Sequence, residues 1–204
     1  MGRPREHGEE TREQLLEAAA RLYAEEGPDA LSVRRLADEV GTTTRAIYSV
    51  FGSKEGLLSA MYRQGADVFV RTAFAVPASD DPVDELLPLA MSYREAALEH
   101  RNLYGLLFER RVAGFTPTDE DQEYLRRGLY RVFDTVRRGV EHGVLPDRDP
   151  MELTDELWAV VHGLASLELQ GCLGDPDHAA SAWRNLVGTM LAGLTRTPTT
   201  AGRN

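Results

Sequence analysis

The stretch "LSVRRLADEVGTTTRAIYSVFGSK", residues 31–54, decides how the chain is read. Ser32 precedes Val33, Leu36, Ala37 and Val40, whose three- and four-residue spacing predicts a short helix with one apolar face. The Ser32 oxygen is placed to accept an amide of the first turn, and Gly41 to stop the helix. Thr43 then opens a helix only two turns long, with Ile47, Val50 and Phe51 on its inner side. Two short helices around a tight turn, the second too short to fold alone, are what a helix-turn-helix needs to offer one outer face to the DNA major groove. The residues left facing outward are Thr43, Thr44, Arg45, Tyr48 and Ser49, with Arg34 from the preceding helix. Hydroxyls, a phenol and helix N-terminal amides suit phosphate oxygens, and an arginine can grip a guanine edge through two hydrogen bonds. On spacing alone, a plain helical hairpin with a solvated polar face is the competing reading.

Charge supports the same stretch. The 204 residues carry a net charge of −10, so any contact with nucleic acid must be local. Between residues 30 and 63 the balance turns positive, with Arg34, Arg35, Arg45, Lys54 and Arg63 against Asp38, Glu39 and Glu55. The acids sit mostly in the C-terminal two-thirds. Lys54 is the single lysine among 23 basic residues, and arginine-rich, lysine-poor usage accompanies GC-rich bacterial genomes.

Outside this stretch, apolar residues recur at helical spacing and strand signals are absent, which predicts an all-α chain of about nine helices. The first spans Glu9 to Glu26 with Leu15, Leu16, Ala19, Leu22 and Tyr23 inward, and Ser53 caps a fourth that runs to about Ala75. Further helices are expected at 83–99, 101–113, 118–143, 150–173 and 177–195, separated by segments containing proline and aspartate. Residues 1–8 and 197–204 are expected as disordered tails, flanking domains of 9–60 and 61–196. No apolar run approaches a membrane span and the charged start is unlike a signal peptide, so the chain reads as cytoplasmic. The single cysteine, Cys172, excludes an intrachain disulfide and reads as packed.

Residues 11–62 resemble the three-helix DNA-binding domain of the TetR (tetracycline-repressor) regulators. The resemblance is carried by "AAARLYAEEG", "LSVRRLADEVG", the aromatic pair Tyr48 and Phe51, and the "GSKEGLL" that opens the fourth helix. It implies DNA contact by Ser32, Arg34, Thr43, Thr44, Arg45, Tyr48, Ser49 and Lys54, with Lys54 in the place of a phosphate-binding lysine. Many relatives carry Tyr-x-His-Phe at the end of the recognition helix and Gly or Pro where this chain has Arg45. Here the sequence is Tyr48-Ser49-Val50-Phe51, so its operator is its own and Arg45 is the expected reader of base identity.

The remainder looks like the C-terminal domain of the same regulators, and "LWAVVHGLASLEL", residues 157–169, is similar to a subgroup named for a Trp-His-Gly motif. The resemblance implies an effector pocket and a homodimer built by the last two helices, with Leu164, Leu167, Trp183, Leu186, Val187, Met190 and Leu191 at the interface. A plain buried core is the alternative for those residues. Tyr93, Leu103, Tyr104, Leu107, Phe108, Phe133, Trp158 and His162 are the candidate pocket for a small apolar or aromatic effector, and an aromatic core is their alternative. Enzyme signatures are missing: there is no phosphate loop, no G-x-G-x-x-G and no G-x-S-x-G, and five scattered histidines offer no helix-spaced metal pair. No catalytic residue, metal or cofactor is expected. The sum is a ligand-responsive repressor that binds a near-palindromic operator as a homodimer. A helical small-molecule binder without DNA function and a helical-bundle enzyme are the rivals.

Overall fold

The computed structural model describes residues 3–27, 31–109 and 115–196, with side chains between Glu9 and Thr195. Among these, nine α-helices and one π-helical turn account for the regular structure. They are α1 (Arg3–Glu26), α2 (Val33–Val40), α3 (Thr44–Phe51), α4 (Lys54–Ala75), α5 (Pro82–Glu99), α6 (Arg101–Tyr104), the π turn (Gly105–Glu109), α7 (Asp119–Glu141), α8 (Pro150–Leu169) and α9 (Pro176–Arg196). The all-α expectation holds. The first helix starts at Arg3, so residues 3–8, expected as tail, are helical. Pro4 lies in its first turn, where a missing amide breaks no intrahelical bond. Residues 197–204 lie outside the described residues.

The chain forms two compact units. The first comprises residues up to Asp67 together with His100–Tyr124, and the second comprises Val68–Glu99 and Leu125 onward. This differs from the expected 9–60 and 61–196, because the chain returns to the first unit after α5. Leu106 of the π turn is part of the core of that unit, and Asp121 at the start of α7 is tied to α4.

In the first unit the expected stripe of α1 (Leu15, Leu16, Ala19, Leu22, Tyr23) meets Leu31, Val33, Leu36, Ala37, Ile47, Leu57, Leu58 and Met61 in one buried cluster. Local chemistry sets the ends of its short helices. The Arg35 amide donates to Ser32 Oγ at 3.2 Å, capping α2. Gly41 ends α2 at φ 68°, a left-handed conformation that suits glycine, and the Gly41 and Thr42 amides close the last turn on the carbonyls of Asp38 and Ala37. The Ala46 amide donates to Thr43 Oγ1 at 3.2 Å, capping α3. At the next corner the Gly56 amide donates to Ser53 Oγ at 3.0 Å, as the capping role of Ser53 requires. A Cβ on Gly56 would lie 2.0 Å from the Phe51 carbonyl oxygen, so only glycine permits this approach of α4 to the end of α3.

Also in the first unit, Asp121 is fully buried. Its carboxylate accepts from Ser59 Oγ at 2.9 Å, Arg63 Nε at 2.6 Å, and the Thr118 amide and hydroxyl at 3.0 and 2.8 Å. Its own amide donates back to Thr118 Oγ1 at 3.1 Å, which completes a capping box at the start of α7.

In the second unit α5 packs against both α8 and α9. Glu168 of α8 accepts two bonds from Arg94 of α5, at 2.9 and 2.6 Å, and one from Trp183 Nε1 of α9 at 2.7 Å. Three helices therefore meet at one carboxylate. Helix α8 ends at Leu169, four residues earlier than expected, because the Gly171 and Cys172 amides take the carbonyls of Glu168 and Leu167. That turn leaves Cys172 exposed, where the sequence reading has it packed.

Glu85, 1% exposed, is the buried acid of this unit among the described residues. It accepts from the Ser79 amide at 2.7 Å, Arg131 and Arg138 at 2.6 Å each, and Thr135 Oγ1 at 3.1 Å. Burial pushes its pKa up, but the Arg138, Ser79, Arg131 and Thr135 hydrogen bonds outweigh burial and hold it at about 2, below the ordinary 4.5. Stability from this group is thus present above pH 4.5 and is lost as pH falls toward 2. Glu85→Gln, which leaves two arginines facing a neutral amide, is expected to cost roughly 3 kcal/mol in chemical denaturation at neutral pH. The same variant is expected to flatten the acid limb of the stability curve between pH 4.5 and 2. Gly56→Ala is expected to destabilise the chain by about 1–3 kcal/mol or more, since a backbone clash is not relieved by a rotamer change.

Candidate nucleic-acid interface

Helix α3 is eight residues long, and Ile47 is its one fully buried residue. Val50 and Phe51 pack partly buried against the same core. With the inner side held there, Thr43, Thr44, Arg45, Tyr48 and Ser49 are all exposed, and so are Ser32 and Arg34 at the start of α2. Tyr48 is 47% exposed, an aromatic ring left in solvent beside its buried neighbour Ile47. Lys54 is half-buried at the start of α4. All eight residues singled out in the sequence thus lie in the three helices around this corner or at their N-caps.

Two of the hydroxyls already have a structural duty. Ser32 and Thr43 accept amides as caps, but each keeps an O–H that can donate to a phosphate oxygen. Holding the cap also holds the hydroxyl in place.

The guanidinium groups divide in a way the sequence does not show. Arg35 is tied to Glu26 at 2.9 Å and to Glu39 at 3.1 Å, and Arg21 reaches Glu39 at 3.6 Å. Arg63 is drawn away to Asp121 at 2.6 Å and Glu120 at 3.2 Å. Of the five cations counted in the positive island, Arg34, Arg45 and Lys54 make no ion pair among the described residues. The i,i+4 spacing of Arg35 and Glu39 is legible in the sequence; the partners from other helices, Glu26 and Asp121, are not. The free positive charge of the island is therefore confined to both ends of α3 and the start of α2.

The effector candidates divide between the two units. In the second unit Tyr93 Oη lies 3.1 Å from His162 Nδ1, the Tyr93 ring lies 5.2 Å from that of Phe69, and the His162 ring lies 5.5 Å from Trp158. Phe133 belongs to this unit and is half-buried. In the first unit Tyr104 is fully buried with its ring 5.0 Å from Phe108, and Leu103 and Leu107 lie against Gly65 of α4.

The interface candidates divide as well. Trp183, Val187, Leu191 and Leu164 are buried within their own chain, at 0%, 2%, 6% and 6% exposure, as the plain-core alternative has them. The reason is that α5 covers this side of α8 and α9, with the Trp183 N–H bound to Glu168. Leu167 and Leu186 remain 44% and 48% exposed, and Met190 is half-buried.

Among the described residues, no helix is long and apolar enough to cross a membrane. Residues 15–61 match the family model described as Bacterial regulatory proteins, tetR family, and residues 86–190 match Tetracyclin repressor-like, C-terminal domain. The finer Trp-His-Gly grouping is not borne out by that second match. The chain is similar to the HTH-type transcriptional repressor KstR2 of Mycobacterium tuberculosis, with 28% identity over 196 residues covering 91% of this chain and 93% of the relative. A solved protein of unknown function from Rhodococcus sp. RHA1 shares 26% identity at a TM-score of 0.77, covering 91% of this chain and 95% of that one. The fold is also that of the TetR family transcriptional regulator PfmR from Thermus thermophilus, at TM-score 0.68 and 24% identity, covering 89% of this chain and 99% of that one. With a family model spanning more than half of its length and exposed helix-turn-helix residues at its amino end, the chain belongs to the TetR family and is a DNA-binding transcriptional regulator rather than an enzyme.

Proposed function

We propose that the protein is a ligand-responsive repressor that binds a near-palindromic operator as a homodimer in the cytoplasm. The observation that carries this reading is the two-sidedness of α3, with Ile47 fully buried while Thr43, Thr44, Arg45, Tyr48 and Ser49 are exposed. Insertion of that outer face into a major groove places Arg45 at base edges, while Ser32, Arg34, Tyr48 and Lys54 hold the flanking phosphates. Thr43, Thr44 and Ser49 contribute hydroxyl contacts. Two copies related by a two-fold axis read successive grooves about 34 Å apart, and operator symmetry follows from protein symmetry. Leu167, Leu186 and Met190 supply the apolar surface for the second copy. The repressor relatives support the negative sign of regulation.

The effector proposed is a small apolar or aromatic molecule. Tyr93 and His162 are a polar pair among the rings of Phe69 and Trp158, the combination of apolar wall and few polar groups that orients such ligands. Helix α4 starts at Lys54, in the DNA-binding unit, and continues unbroken into the second unit to Ala75. An effector that binds more tightly to a conformation unsuited to DNA shifts the population away from the operator-bound state.

Mobility-shift titration of the wild-type chain on its own upstream DNA at two salt concentrations is expected to show tight binding that weakens steeply with salt. A monomer in sedimentation that ignores this DNA at low salt overturns the reading. Arg45→Ala is expected to cost about 1–3 kcal/mol on the native operator and little on a scrambled duplex. Equal losses on both would make Arg45 a phosphate contact only.

A further inference from the structure

Arg12 stands where the inward stripe of α1 calls for one more apolar residue. Reading toward the amino end, Tyr23, Leu22, Ala19, Leu16 and Leu15 are buried, and the next position on that stripe is an exposed arginine. Its guanidinium carbon lies 5.8 Å from the centroid of the Phe51 ring, within the range of a cation–π contact. Phe51 is half-buried against the core and is the last residue of α3, three positions before Lys54.

The ion-pairing pattern groups this arginine with Arg34 and Arg45. Arg21, Arg35 and Arg63 of the same unit are all engaged by carboxylates. Arg12 makes no ion pair among the described residues, although Glu9 and Glu13 are its neighbours in sequence. An aromatic face holds the plane of a guanidinium without consuming its N–H donors. The result is a pre-oriented cation beside the far end of the recognition helix, with no carboxylate on its hydrogen-bonding edge among the described residues.

We propose that Arg12 is a DNA phosphate contact, held against Phe51 so that its N–H edge meets a backbone phosphate flanking the groove entered by α3. The contact rests on the DNA-binding reading above and extends it to α1. A phosphodiester is the fitting partner because its oxygens match the paired donors of a guanidinium, and because a backbone contact makes no demand on base sequence.

The test compares full-length wild-type, Arg12→Leu and Arg12→Lys chains on the native upstream duplex and on a scrambled duplex across a salt series. Arg12→Leu continues the apolar stripe over Phe51 and removes the charge together with the N–H donors. Its slope of log affinity against log salt is expected to be shallower by about 0.9 per protomer, with equal losses of affinity on both duplexes. Arg12→Lys is expected to keep the slope while binding more weakly, since an ammonium does not stack as a plane. Wild-type slope and affinity in Arg12→Leu would overturn the assignment, leaving Arg12 as packing on Phe51. A loss confined to the native duplex would also overturn it, in favour of base reading. Should thermal melting show Arg12→Leu to be poorly folded, Arg12→Gln, which keeps a planar polar group without charge, decides the slope. A wild-type chain that binds neither duplex overturns the DNA-binding reading itself, and this contact with it.

Discussion

The burial of Ile47 is the contact on which the functional surface depends. A two-turn helix does not persist alone in water, because nucleation fixes several dihedral angles for each hydrogen bond gained. Helix α3 exists because Ile47 is locked into a core supplied by α1, α2 and α4, and because caps at Thr43 and Gly52 satisfy its ends. The same lock determines the outer side. Once Ile47 points inward, the helical period leaves Arg45, Tyr48 and Ser49 no choice but solvent.

Around that anchor, electrostatics sorts the cations. An acidic chain presents positive charge to DNA only where its own carboxylates do not neutralise it first. Glu26 and Glu39 hold Arg35, and buried Asp121 holds Arg63, so these two serve the fold. Arg34, Arg45 and Lys54 make no ion pair among the described residues. In the second unit two acids are again structural: Glu85 collects hydrogen bonds from α7 and from Ser79, and Glu168 from α5 and α9, as removal of a carboxylate from water demands.

The shared corner of α3 and α4 shows how little side-chain volume can decide. Gly56 carries no side chain, and its absence lets the start of α4 lie against the Phe51 carbonyl. Ser53 as a cap is legible from the preference of its hydroxyl for a free amide. Helical spacing does not show the constraint on Gly56, because that constraint comes from a backbone atom of the preceding helix.

What the sequence determined by itself was local and periodic. Helical spacing named the stripe of α1, the inward set Val33, Leu36, Ala37 and Ile47, and therefore the outward set that includes Arg45 and Tyr48; capping chemistry named Ser32, Gly41 and Ser53. Only the tertiary structure decided what depends on partners distant in the chain. Trp183 and Val187 are as apolar as an interface residue should be, and periodicity does not distinguish a neighbouring helix of the same chain from one of a second copy. The early end of α8, the return of residues 100–124 to the first unit, and the loss of Arg63 to Asp121 arise likewise from packing and pairing across long separations. A sequence pattern shows that a face must be covered or a charge paired, and the folded chain decides by what.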